Sequence, residues 1–132
     1  HKLMCQMINR ENDREALKTI LKCIQMLKED KVSVCVFPEG YTSRDGKLHH
    51  FRPGVFKIAT KAQVPIVVCT LQNTQKVFGN AKHLKKTPVP LHVVGVIQPD
   101  TFAGRTAVDI AQQAYDRMIS DLGEAFRPEE TE

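Results

Sequence analysis

The chain lacks the features that would place it in several large functional classes. No run of about 18 apolar residues occurs, so no segment reads as a membrane-crossing helix. No secretory signal pattern is present. Neither a Gly-x-Gly-x-x-Gly run nor a P-loop occurs, which sets a nucleotide-binding domain low. The four cysteines, Cys5, Cys23, Cys35 and Cys69, never stand in a Cys-x-x-Cys pair. That spacing argues against zinc. They read instead as small buried hydrophobes of a reducing compartment, three in strands and one in a helix. There is no internal repeat and no low-complexity segment. The net charge of +4 suits an anionic ligand or an anionic bilayer surface and gives no case for nucleic acid.

What is there reads as one folded domain. At 132 residues, with 42% hydrophobic residues, the chain can bury roughly two-thirds of its unfolded surface. Residues 4–8 form a short apolar stretch read as a strand. Asn12 or Asp13 can cap a following helix, on which Leu17, Ile20, Leu21, Ile24 and Leu27 recur at three- and four-residue steps. Residues 32–37 are apolar and β-branched and read as a buried central strand. Pro53 starts a short helix that buries Val55, Ile58, Ala59 and Ala62 and ends at Gln63 and Pro65. Residues 66–71 form a strand covered on both sides, and residues 91–97 another. Residues 72–90 are a long lysine-bearing loop, with a helical turn around residues 81–84. Thr106 and Asp109 make a capping box for a last helix with Ala107, Ile110, Ala111, Ala114, Met118 and Leu122 inward and Gly123 at its stop. The alternation of strands and helices predicts an α/β fold, a mostly parallel sheet with helices packed on its faces. The domain is expected over residues 1–123, followed by an acidic tail over residues 124–132.

The chemistry gathers where the strand at residues 32–37 ends. Pro38, Glu39 and Gly40 break the ladder, and Thr42, Ser43 and Arg44 follow. In open α/β sheets ligands collect at the carboxyl ends of strands. A guanidinium offers a planar fork to two phosphate oxygens, so Arg10 and Arg44 are phosphate candidates; the alternative is two solvated surface arginines. Glu39 can accept from a ligand hydroxyl or hold loop N–H groups, or it can simply lock the turn. The basic loop Lys76 to Lys86 could touch anionic head groups or simply be solvated.

Phe37-Pro38-Glu39-Gly40 with Ser43-Arg44 resembles the third motif of the glycerolipid acyltransferase family, which includes lysophosphatidic acid acyltransferase. Ile8-Asn9-Arg10 resembles its second motif, and Val64-Pro65-Ile66-Val67 its fourth, after a Phe-x-x-Gly helix start at Phe51 to Gly54. The resemblance runs from about residue 4 to 122. It implies transfer of a fatty acyl group from acyl-CoA or acyl-carrier protein to lysophosphatidic acid, giving phosphatidic acid, with no metal or other cofactor. It implies an acceptor site at Arg10, Glu39, Gly40, Thr42, Ser43 and Arg44. It also implies a peripheral place on the cytoplasmic face of a membrane.

Two positions depart from the family pattern. Asn9 stands where Asp is usual, and Tyr41-Thr42 where Thr-Arg is usual; Arg44 or the segment Lys47 to Arg52 can supply the cation instead. The family's catalytic base is the histidine of a His-x4-Asp motif. Five residues after His1, His49, His50, His83 and His92 stand Gln6, Gly54, Val55, Pro88 and Ile97. The motif is therefore expected upstream of this chain, and the chain alone is expected to be inactive. The alternative is a non-catalytic module that binds a phospholipid or a phosphorylated metabolite. A sheet lacking its first part should leave residues 4–7 or the adjoining face uncovered, or paired with a second copy of the chain.

Overall fold

The computed structural model describes Cys5, Gln6, Ile8 and residues 12–43 and 45–128. Helix α1 spans Asp13–Lys28. A single 3-10 turn, Pro53–Phe56, runs into helix α2, Lys57–Ala62. Strand β1, Ile66–Leu71, is followed by the five-residue helix α3, Val77–Ala81, and strand β2, Leu91–Ile97. A 3-10 turn at Pro99–Phe102 leads to helix α4, Ala107–Leu122.

The two long helices follow from local sequence. Asn12 caps α1: its Oδ1 accepts from the N–H of Arg14 at 3.1 Å and of Glu15 at 3.3 Å. On α4 the Thr106 Oγ1 accepts from Asp109 N at 3.2 Å while the Asp109 carboxylate accepts from Thr106 N at 2.7 Å, a reciprocal capping box. Gly123 N donates back to Ile119 O at 2.8 Å and closes that helix. The α4 stripe reads as expected, and Tyr115 and Ile119 join it in the core. On α1 the expected stripe is only partly buried. Cys23 is inside, while Leu17 and Leu21 are each 55% exposed. Its partner is the six-residue α2, too short to cover a stripe running the length of a 16-residue helix.

The mixture of helix and strand is as expected, but the expected parallel pairing is not seen among the described residues. The fold is mixed helix and strand, and the strand pairing among the described residues is antiparallel, β1 against β2. A parallel pair needs a crossover of a dozen or more residues, usually a helix laid over the sheet. The segment between β1 and β2 holds only α3 and short turns, and Gln72 N donates to Pro90 O at 3.2 Å where it returns. The chain thus comes back at the end where it left. Residues 32–37 form no strand, and no ladder partner reaches them among the described residues. Val36 and Phe37 are exposed, Phe37 at 72%. Residues 4–8 show no strand at Cys5, Gln6 or Ile8; Met4 and Met7 lie outside the described residues.

One face of the β1–β2 pair is covered and one is open. Ile66, Val68 and Thr70 pair with Ile97, Gly95 and His92 on the covered side, against α4. Val67, Cys69 and Leu71 pair with Val96, Val93 and Leu91 on the other. A bulge between Val68 and Cys69 leaves Val94 as the extra residue. The core joins Val68, Ile97 and the α4 residues Ile110, Ala111, Ala114, Tyr115 and Ile119 to Leu48, Phe51, Phe56 and Phe102. The open face carries Val67, Leu71, Leu91, Val93 and Val96, all exposed. So the strand at residues 66–71, expected to be covered on both sides, is covered on one.

Gly95 admits close packing on the covered face. A Cβ there would lie 2.6 Å from Nη1 of Arg117, which donates to Val96 O at 2.9 Å. Thr70, buried, donates to the Asp121 carboxylate at 2.5 Å, and His92 Nδ1 sits 3.3 Å from the same group.

The cysteines divide. Cys23 is buried, and burial pushes its thiol pKa up. Cys69 is half-buried, and Cys5 and Cys35 are exposed rather than buried, neither of them lying in a strand. All four are free thiols.

Candidate functional site

The loop over residues 37–52 is held by hydrogen bonds from both of its arms. Gly40 N donates to Phe37 O at 3.1 Å, closing a turn around Pro38 and Glu39. Gly40 takes φ 78°, a left-handed conformation that costs an L side chain about 1–2 kcal/mol. Across the loop, Arg52 N donates to Pro38 O at 2.9 Å, and His49 N donates to Glu39 Oε2 at 2.9 Å. The acidic side chain therefore ties its own turn to the returning arm.

A second carboxylate organises the tip. Asp45 Oδ1 accepts from Ser43 Oγ at 2.6 Å and from Lys47 N at 2.9 Å, and its Oδ2 lies 2.9 Å from His49 Nε2. The Ser43 hydroxyl, then the Lys47 N–H and the His49 ring, hold the Asp45 pKa down to about 2. The Tyr41 ring leans on His49, centroids 5.6 Å apart. Desolvation, then the charges of Glu39 and Asp45, push the Tyr41 hydroxyl pKa up.

The returning arm is anchored in the core. Leu48 and Phe51 are buried, Tyr115 donates its hydroxyl to Leu48 O at 3.0 Å, and Phe51 meets the Tyr115 ring edge-on at 5.4 Å. Leu48 N donates to Phe126 O at 2.8 Å, and Lys47 Nζ to Ala125 O at 2.6 Å, so the segment after α4 braces the same arm. A deformable loop is thus fixed to α4 at its base.

Of the candidate acceptor-site residues, Glu39 is half-buried and bonded to His49 N, and Gly40 forms the turn. Thr42 is exposed, and the Ser43 hydroxyl is engaged with Asp45. Arg10 and Arg44 lie outside the described residues. Within the segment Lys47 to Arg52, the side chain nearest the turn is Arg52. A Cβ on Gly40 would lie 2.9 Å from Arg52 Nε and 3.0 Å from its Cδ, so the bare glycine is what lets that guanidinium lie against the turn. Arg52 is exposed, with its charge available at the rim. Sequence reasoning did not single out Arg52 or Asp45. Arg52 is twelve positions from Gly40, and no periodicity reports such an approach. Asp45, beside Gly46, reads from sequence as a turn signal, and its spacing to Ser43 and His49 also suits local side-chain bonding. An open groove along α4, lined by Arg105, Gln113, Asp116 and Arg117 among others, is made of different residues from this loop.

Comparisons with known proteins agree with the motif pattern. The Acyltransferase family model matches residues 1–72, which contain the whole Glu39 loop. A 1-acyl-sn-glycerol-3-phosphate acyltransferase of Limnanthes douglasii is 25% identical over 122 residues, covering 92% of this chain and 43% of the relative. One of Chlamydomonas reinhardtii is 36% identical over 110 residues, 82% of this chain and 32% of the relative. One of Salmonella typhimurium is 30% identical over 112 residues, 85% of this chain and 41% of the relative. The chain therefore spans less than half the length of these relatives. No solved structure matches. With the glutamate turn, the arm that returns to it and more than half of the sequence inside the matched span, this chain belongs to the acyltransferase family.

Proposed function

We propose that this chain is part of an enzyme that acylates lysophosphatidic acid to phosphatidic acid, with acyl-CoA or acyl-carrier protein as donor. The acceptor hydroxyl oxygen attacks the thioester carbonyl carbon, its proton passes to a base, and the C–S bond breaks to release the carrier thiol. The base would be a histidine outside this sequence, so the chain alone binds the acceptor without turning it over. Such a transfer calls for a base and hydrogen-bond donors to the developing oxyanion, and we propose no cofactor. The observation that carries the reading is the Glu39 turn: its carboxylate is oriented by His49 N–H, and Arg52 lies against the neighbouring Gly40. Glu39 would accept from the glycerol side of the acceptor. Arg52, with Arg10 and Arg44, would meet its phosphate, Arg52 in place of the cation missing at Thr42. In the whole protein, residues 32–37 would gain ladder partners in a larger, mostly parallel sheet. The open face of β1 and β2 would be covered there or by a second copy. The site would work from the cytoplasmic face of a membrane.

A second reading, a non-catalytic module for phospholipids or phosphorylated metabolites, is favoured by the lack of His-x4-Asp in this sequence. One experiment separates the readings. The isolated chain and the full-length protein are each incubated with acyl-CoA and lysophosphatidic acid while free thiol is followed, and acceptor binding is titrated in parallel. Saturable binding by both, with thiol release by the full-length protein only, is expected; no release by either would favour the binding module. Robust thiol release by the isolated chain would overturn the placing of the base, and no preference for lysophosphatidic acid over monoacylglycerol would overturn the phosphate reading.

A further inference from the structure

The segment over residues 72–90 displays apolar side chains in water without any fold-internal reason. Phe78, on α3, is 82% exposed, and Leu84, three residues past α3, is 96% exposed. Leu84 is also held in the left-handed region, at φ 52°. That conformation is strained for a leucine, and the surrounding bonds impose it. His83 N and Lys85 N both donate to Asn80 O at 3.0 Å, Leu84 N donates to Ala81 O at 3.1 Å, and Asn80 Nδ2 donates to Thr87 Oγ1 at 2.8 Å. The turn is therefore a built structure that points a large aliphatic group outward.

The charge along this segment is of one sign. Lys76, Lys82, Lys85 and Lys86 are all exposed. Between Asp45 and Asp100 the sequence holds no aspartate or glutamate and eight lysines or arginines. Two outward apolar groups ringed by long-stemmed cations suit an interface in which ring and methyl groups enter the acyl boundary and ammonium groups stay at the headgroups. A second copy of the same patch would bring four lysines against four and is disfavoured by repulsion.

We propose that residues 76–86 are the surface by which this domain docks on an anionic bilayer, with Phe78 and Leu84 as the inserted anchors. The proposal rests on the reading that the acceptor is a membrane lipid; it uses residues outside the Glu39 loop, whose Gly46 lies beside Gln75, next to Lys76. Phe78 and Leu84 touch no core, so replacing them leaves the fold intact.

The chain contains no tryptophan, so Phe78→Trp installs a single reporter. Its emission is expected to shift to the blue with phosphatidylcholine vesicles containing phosphatidylglycerol, and not with phosphatidylcholine alone. In co-sedimentation, Leu84→Ser should weaken partition about tenfold, the scale of one buried leucine. The triple change of Lys82, Lys85 and Lys86 to Gln should weaken it on the order of a hundredfold. An unshifted emission from the introduced tryptophan, or partition indifferent to both Leu84 and the lysines, overturns the proposal. So does a sedimentation result in which Leu84→Ser abolishes a dimer while vesicle binding is unchanged. These vesicles contain no lysophosphatidic acid. Failure here with intact lysophosphatidic acid binding sinks only the docking surface, and the converse sinks only the site.

Discussion

The backbone N–H of His49 donates to the side chain of Glu39 at 2.9 Å, ten positions back along the chain. This one bond converts two arms of a loop into a single rim. Removing the carboxylate leaves a half-buried N–H without its partner, at a cost of about 1–3 kcal/mol. Glu39→Ala should lower the midpoint of thermal unfolding, and Glu39→Gln, which keeps an acceptor oxygen, should recover most of the loss. Equal melting of the two variants would show that the bond is not what holds the loop.

Arg52 lies against Gly40 because glycine has no Cβ to exclude it. Gly40→Ala adds left-handed strain of about 1–2 kcal/mol and also crowds Arg52 Nε. The change should cost less on an Arg52→Ala background, since the crowding term disappears; a double-mutant cycle of urea unfolding measures the difference.

In the proposed function the same arginine meets the acceptor's phosphate. A charge-assisted bond to phosphate contributes about 1.5–3 kcal/mol, so Arg52→Gln should weaken lysophosphatidic acid binding about tenfold or more. Binding of monoacylglycerol should not change. Titration of both ligands checks the pair, and a parallel loss for both would place Arg52 outside the phosphate site.

Asp45 sets a pH dependence. Its folded pKa, about 2, is depressed chiefly by the Ser43 hydroxyl, below the ordinary value of about 3.9. A depressed carboxylate stabilises the fold fully above its unfolded pKa and loses that stabilisation as pH falls through the folded one. The Asp45 contribution should therefore vanish between pH about 4 and about 2. Asp109 and Asp121 are shifted in the same direction, so wild type has several such contributions. The difference between wild type and Asp45→Asn in urea midpoint, followed down this range, isolates the one; a constant difference would remove Asp45 from the account.

Beneath the sheet, Asp121 is the acceptor for the buried Thr70 hydroxyl. Asp121→Ala orphans that hydroxyl and should cost about 1–3 kcal/mol, whereas Thr70→Val removes donor and need together and should cost less. The order of the two denaturation midpoints decides the point.

How far the sequence could be read depended on the range of the interaction. Asn12, the Thr106–Asp109 box and Gly123 bond within four residues, so caps and helix ends were legible. So was the α4 stripe, because α4 meets a broad core. The α1 stripe misled at Leu17 and Leu21, because periodicity tells which residues share a face but not how long the covering partner is. Among the candidate site residues, Glu39, Gly40 and Ser43 were legible as a motif. The bond from His49, the hub at Asp45 and the approach of Arg52 were not, since each depends on where a loop returns.

By itself the sequence determined the family pattern, the helix termini and the position of the glutamate turn, all consequences of residue type and short spacing. Tertiary structure alone decided that β1 and β2 run antiparallel, that residues 32–37 meet no ladder partner among the described residues, and that one sheet face stays open. Strand pairing and side-chain approach are long-range: a strand exists only where another backbone meets its N–H and C=O groups, and no local pattern states which one will.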